Sequence, residues 1–82
     1  AVGCTVVFKA SELCPKTHFS ITQAFSASGA PAGVLNQLQC QRSDAAKISE
    51  TLIAHEAIRK IEFIGSAAVG RQIMKTAANY LK

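Results

Sequence analysis

Two short stretches of this 82-residue chain hold residue types that could recognise a ligand rich in phosphates and hydroxyls. In Lys9-Ala10-Ser11-Glu12 a lysine and a glutamate stand three positions apart. The ammonium donates hydrogen bonds, and the carboxylate can accept from both vicinal hydroxyls of a ribose. The plain alternative is an exposed pair of charges on a loop. In Phe63-Ile64-Gly65-Ser66-Ala67-Ala68-Val69-Gly70 two glycines flank a serine placed to cap a helix. The first N–H groups of a helix attract an anion, so this stretch is either a phosphate cradle or an ordinary strand-to-helix turn. It is not a P-loop, because Arg71-Gln72 stand where Lys-Ser/Thr is required, and it lacks the G-x-G-x-x-G spacing.

Other polar candidates read more simply. His18 and His55 each lack a cysteine or carboxylate at ligand spacing, which argues against a metal site, and His55 falls where a helix should end. Cys4 belongs to a strand expected to be buried. Cys14 is expected at the start of a helix as a capping or packing residue, and Met74 and Tyr80 pack the last helix. The 3 cysteines, Cys4, Cys14 and Cys40, contain no CxxC pair. An odd number without that spacing fits reduced thiols in the cytoplasm better than a disulfide framework.

The elements that must position these residues follow from apolar spacing. Cys4–Phe8 (CTVVF) is a continuous β-branched run, the pattern of a strand covered on both faces. Pro15 suits a first helical turn, Ile21, Ala24, Phe25 and Ser28 recur at helical spacing, and Gly29 can end that helix in the left-handed region. After the Pro31-Ala32-Gly33 turn, residues 34–39 form a second strand, weakened by two amides. Ser43 and Asp44 open a second helix carrying Ala45, Ile48, Leu52 and Ile53 and ending near His55. Lys60–Ile64 is a third strand, and Val69, Ile73, Ala77 and Leu81 form the stripe of a third helix after Gly65-Ser66. The order is βαβαβα, which predicts a parallel sheet with helices packed on its faces and a ligand beyond the carboxyl ends of the strands.

The formal charge of +4 is spread without runs and without interleaved aromatics, so no nucleic-acid patch is expected. With 49% apolar and only 17% charged residues, the chain has more apolar surface than a domain of this size can hide. It should be covered by the rest of a larger chain or by an oligomer partner. No apolar run reaches the roughly 18 residues of a membrane span, and no signal-peptide pattern opens the chain. A soluble, cytoplasmic protein is expected. The opening Ala1-Val2-Gly3, running straight into a strand pattern, reads as an excised piece.

GCTVVFKASELCP, GAPAGVLN and IEFIGSAAVGRQIMKTAA together, in this order, resemble one continuous part of the aldehyde dehydrogenase superfamily. The SELCP wording and the IAH segment before the third strand are most similar to its branch acting on salicylaldehyde and vanillin. The resemblance implies that residues 1–82 are part of the cofactor-binding domain, a Rossmann-like fold that holds NAD or NADP without the usual glycine fingerprint. It places Lys9 and Glu12, with Ser11 between them, on the adenosine ribose. It places Ser66 on the pyrophosphate, Gly65 at the turn beside Phe63, and Val69 against the adenine. Glu12 favours NAD, because a carboxylate repels a 2′-phosphate.

Departures from the family pattern are also visible. Ala10 replaces a usual proline, predicting a less rigid first loop, and Ile64 replaces a threonine whose hydroxyl is lost. Cys40-Gln41-Arg42-Ser43-Asp44 replaces glycines of the adenine pocket. The resemblance implies a reaction in which a cysteine thiolate attacks an aldehyde, hydride passes to NAD(P)+ and water releases the acid. The family's nucleophilic cysteine, general-base glutamate and oxyanion-hole asparagine have no counterpart in these residues, so no catalytic residue is assigned and the chain alone is expected to be inactive. Its expected partners are the remainder of the enzyme, an aldehyde substrate and further copies in a homo-oligomer. A rival reading is a small non-catalytic α/β module that binds a protein partner through its apolar faces.

Overall fold

The computed structural model describes residues 3–82; Ala1 and Val2, which begin the abrupt opening, lie outside the described residues. The chain divides into two compact units, the first ending at Arg42 and the second spanning Ser43–Lys82.

The first unit is a βαβ arrangement: β1 (Val6–Lys9), α1 (Pro15–Ala27) and β2 (Leu35–Leu38). The strands pair in parallel with Val6 opposite Leu35 and Lys9 opposite Leu38. The Ala10 N–H extends the ladder to the Leu38 carbonyl at 2.9 Å. A proline there would have no N–H to give. The two amides that weaken the second strand in the sequence hold it in place. Asn36 Nδ2 donates to the Gly33 carbonyl (2.9 Å) and to the Val6 carbonyl (3.3 Å). Gln37 Oε1 accepts from the Thr22 hydroxyl at 2.5 Å, a bond that ties α1 to β2.

Helix α1 begins with Pro15 in its first turn and stops at Gly29, which has φ +95°. There the Gly29 N–H reaches the Ser26 carbonyl (3.2 Å) and the Ala30 N–H reaches the Phe25 carbonyl (3.4 Å). This pair of bonds is a Schellman closure, and it needs a residue at ease with positive φ.

The second unit holds a 3-10 turn (Arg42–Asp44, whose first residue still belongs to the first unit), α2 (Ala45–Ala54) and α3 (Ala67–Ala78). Ile53 of α2 and Ala77 of α3 are its buried apolar residues. The Lys82 ammonium donates to the Ile53 carbonyl (2.5 Å) and the His55 carbonyl (2.7 Å), satisfying acceptors that the end of α2 leaves open. His55 is the C-cap of α2, as its position in the sequence predicts. Ser43 and Asp44 do open that helix, through the 3-10 turn, but no side-chain hydrogen bond caps it.

Two expectations are corrected. Lys60–Ile64 is not a strand here, and the only sheet among the described residues is two-stranded. A strand is defined by neighbours that complete its hydrogen bonds, and the alternation of residue types does not supply one. Lys60 and Glu62 do form a 2.9 Å ion pair, and that hydrogen bond and charge hold the Glu62 carboxyl below its usual range. The second correction is burial. Cys4 is exposed and Val6 and Val7 remain about half exposed, because one helix and one neighbouring strand do not cover both faces of β1. Leu81, the last member of the α3 stripe, lies beyond the helix with φ +58° and is 98% exposed.

Replacing Gly29 by alanine should cost about 1–2 kcal/mol, the penalty of a β-carbon in the left-handed region. Asparagine at the same place should cost less. Urea unfolding midpoints of the two variants test this, and equal losses would contradict it.

Candidate functional site

The parallel pairing of β1 and β2 brings their carboxyl ends to one edge, where they form an open hollow of about 340 Å³. Ala10, Ser11 and Glu12 line it from the end of β1, Pro15 from the start of α1, and Gln39, Cys40 and Gln41 from the end of β2. The Lys9 ammonium lies 3.7 Å from a Glu12 carboxylate oxygen, and both side chains are about three-quarters covered. The expected trio Lys9, Ser11 and Glu12 is thus together, with Ser11 and Glu12 on the wall of the hollow.

The loop carrying them is tethered at successive residues. Besides the Ala10 bond to β2, the Ser11 N–H donates to Nδ1 of His18 at 2.9 Å, the Leu13 N–H to the Ser11 hydroxyl at 3.2 Å and the Cys14 N–H to the Ser11 carbonyl at 3.3 Å. Gln39 Nε2 donates to the Pro15 carbonyl at 3.3 Å, joining the two rims. Of the segment Cys40-Gln41-Arg42-Ser43-Asp44, Cys40 and Gln41 line the hollow.

His18 is not isolated, contrary to its reading in the sequence. Its ring centroid lies 5.0 Å from that of Phe8, and its Nε2 lies 3.6 Å from Cys14 Sγ. Cys14 is the N-cap residue of α1, at the helix start where it was expected, but it makes no side-chain capping bond; it is exposed and its sulfur contacts His18. The missed signal was its spacing of four from His18, which puts both side chains on one face of the first turn. Among the described residues no group of three or more His, Cys, Asp or Glu side chains could hold a metal.

In the second unit, Ser66 is the N-cap of α3, and its hydroxyl accepts the Val69 N–H at 3.3 Å. The Val69 side chain is 50% exposed, and Ile64 is fully exposed. The glycine pair has an unexpected explanation. Neither Gly65 nor Gly70 has positive φ. Both make room for the Phe63 ring instead: a β-carbon on Gly65 would lie 2.6 Å from Cζ, and one on Gly70 would lie 3.3 Å from Cε1. Phe63, Gly65, Ser66 and Val69 are thus one local arrangement, separate in unit from Lys9, Ser11 and Glu12.

Open α/β sheets bind ligands beyond the carboxyl ends of their strands, which is where this hollow lies. The model of the aldehyde dehydrogenase family matches residues 1–82, and the chain belongs to that family. It is 48% identical over 80 residues to a salicylaldehyde dehydrogenase of Pseudomonas putida, covering 98% of this chain and 17% of that protein. It is 45% identical over 82 residues to a vanillin dehydrogenase of Pseudomonas fluorescens, again 17% of the relative's length. The crystal structure of a salicylaldehyde dehydrogenase from Pseudomonas putida G7, complexed with salicylaldehyde, superposes with a TM-score of 0.93 at 47% identity, covering 95% of this chain and 16% of that one. The chain thus spans about one sixth of the length of these relatives.

The contact of Gly65 with Phe63 predicts a coupled pair. Gly65→Ala should destabilise by about 1 kcal/mol, a typical overpacking penalty, and the penalty should disappear when Phe63 is also alanine. A double-mutant cycle in chemical denaturation measures the coupling; additive effects would show that the ring does not set the requirement for glycine.

Proposed function

We propose that these residues form part of the cofactor-binding domain of an NAD(P)+-dependent aldehyde dehydrogenase that oxidises aromatic aldehydes to carboxylic acids. The observation that carries the reading is the position of Glu12, paired with Lys9 at 3.7 Å and lining the hollow at the ends of two parallel strands. A carboxylate on that wall, oriented by an ammonium, can accept from the two hydroxyls of an adenosine ribose. Ser11 and the Gln39-Cys40-Gln41 rim complete the recess for the adenosine end.

In this reading Ser66 serves the pyrophosphate. Its oxygen accepts the Val69 N–H, which leaves its hydroxyl proton to donate to a phosphate oxygen. The half-exposed Val69 side chain offers apolar surface to the adenine, and Phe63 shapes the turn. Ile64 brings no hydroxyl to the site, so contact there is apolar only. Glu12 disfavours a 2′-phosphate, which makes NAD the preferred form. When bound, the nicotinamide ring takes up hydride from the substrate; these residues hold the adenosine half and leave the chemistry to residues elsewhere in the enzyme.

The aromatic substrate class rests on likeness to the salicylaldehyde and vanillin dehydrogenases. The rest of the polypeptide covers the exposed Leu13, Ile64, Met74 and Leu81. The enzyme acts as a homo-oligomer in the cytoplasm; no helix among the described residues is long and apolar enough to cross a membrane.

In the full-length enzyme, Lys9→Ala and Glu12→Gln should each raise the Kd for NAD+ by roughly 10-fold, the effect of losing a hydrogen bond to a charged group, with kcat within about twofold of the parent. Glu12→Gln should also narrow the preference for NAD over NADP. Unchanged NAD+ affinity in both variants, measured by fluorescence titration, removes the ribose assignment. The purified 82-residue chain should not oxidise salicylaldehyde with NAD+; turnover that disappears in Cys14→Ala would place the nucleophile within these residues and overturn that part of the reading.

A further inference from the structure

The loop that presents Ser11 and Glu12 is held partly from within and partly by its neighbours. It leaves β1 after the Ala10 bond to β2, turns through the Cys14 N–H to Ser11 carbonyl contact, and enters α1 at Pro15. Two of its tethers lie inside the turn and use Ser11's own oxygens. The Ser11 N–H is accepted from outside the turn, by the imidazole of His18, one turn into α1. Helical side chains lean back toward the N-terminus of their helix, so a residue in the first turns of α1 can reach the loop that precedes it.

The ring is held on three sides. Phe8 of β1 stacks against it with the planes tilted by 38°, Cys14 Sγ lies 3.6 Å from Nε2, and the Ser11 N–H meets Nδ1. A backbone N–H can only donate, so Nδ1 must be the unprotonated nitrogen of the ring. The proton of the neutral imidazole is then on Nε2, facing the sulfur of Cys14. Both ring nitrogens thus have partners.

We infer that His18 is a positioning residue for the cofactor: through Nδ1 it fixes the Ser11 peptide, and so sets where Ser11 and Glu12 stand on the wall of the hollow. The inference rests on the cofactor site proposed above. The Ser11 and Ala10 peptides are thus restrained by a side-chain acceptor and a ladder hydrogen bond respectively. His18 does not itself line the recess, so its effect on binding is carried by the 2.9 Å bond to Ser11, which does.

The test uses the full-length enzyme and three substitutions. Asparagine places its Oδ1 near the position of Nδ1 and can accept from Ser11. Phenylalanine keeps a ring against Phe8 but accepts nothing, and leucine is a second variant without an acceptor. His18→Phe and His18→Leu should raise the Kd for NAD+ about fivefold, the typical net worth of one hydrogen bond, while kcat at saturating cofactor stays within about twofold. His18→Asn should return to within about twofold of the parent Kd. Hydrogen exchange of the peptide spanning residues 10–14 in the unliganded enzyme should accelerate in the phenylalanine and leucine variants and recover in the asparagine variant. An unchanged Kd in His18→Phe and His18→Leu overturns the inference, as does equal impairment of all three variants, because restoring the acceptor would then restore nothing. Lys9→Ala and Glu12→Gln belong in the same titration. If they weaken NAD+ and the acceptorless His18 variants do not, the role of His18 fails alone; if none weakens it, the cofactor site itself is wrong.

Discussion

The parallel pairing of two four-residue strands is the constraint on which the first unit depends. In an antiparallel pair the ends of consecutive strands lie at opposite edges; here both carboxyl ends meet at one edge. That places Lys9-Ala10-Ser11-Glu12 beside Gln39-Cys40-Gln41 and makes a hollow from segments about thirty residues apart in the chain. A crossover is needed to return the chain for parallel pairing, and α1 supplies it. The helix is docked by the Thr22 to Gln37 hydrogen bond and closed at Gly29. Polar side chains that weaken β2 as a strand pattern serve this docking, so the unit gains local order from residues that a purely apolar strand would lack.

The second unit solves a different problem, which is to begin a helix near an aromatic ring. Phe63 occupies space that β-carbons at residues 65 and 70 would enter, and glycine at both places allows the ring to lie against the backbone. Ser66 then caps the helix while its side chain stays at the surface. The glycines provide close approach rather than unusual backbone angles, a distinction that matters because the two requirements tolerate different substitutions. In both units much apolar surface remains uncovered, and among the described residues the buried apolar ones are only Ala10, Ile53 and Ala77. Burial on this scale contributes little stabilisation, which accords with a segment whose faces meet other parts of a larger protein.

Much of the candidate site could be read from residue order. Lys9 and Glu12 stood out by charge and spacing as one of two readings and were placed on the ribose by the family resemblance, while Ser66 was marked by its place before an apolar stripe and Gly29 by its place after one. Short-range chemistry governs each of these: a cap, a turn and a pair three residues apart need only their neighbours. His18 was misread because a ligand search looks for other metal-binding residues, whereas its partners are a backbone N–H seven positions away and an aromatic ring on the strand. Gln39, Cys40 and Gln41 were seen only as departures from a glycine pattern, since nothing local to them shows which loop they will face.

The sequence by itself determined the membership of the aldehyde dehydrogenase family, the three helices, the first two strands and the turn residues, because these follow from periodicity, caps and motif order along one chain. Tertiary structure alone decided which side chains share a wall, why residues 65 and 70 are glycine, and that His18 holds the loop carrying Glu12. It also decided that Lys60–Ile64 stands outside the two-stranded sheet. Those outcomes depend on contacts in space, and a strand or a hydrogen-bond acceptor acquires its role only from the partner brought to it.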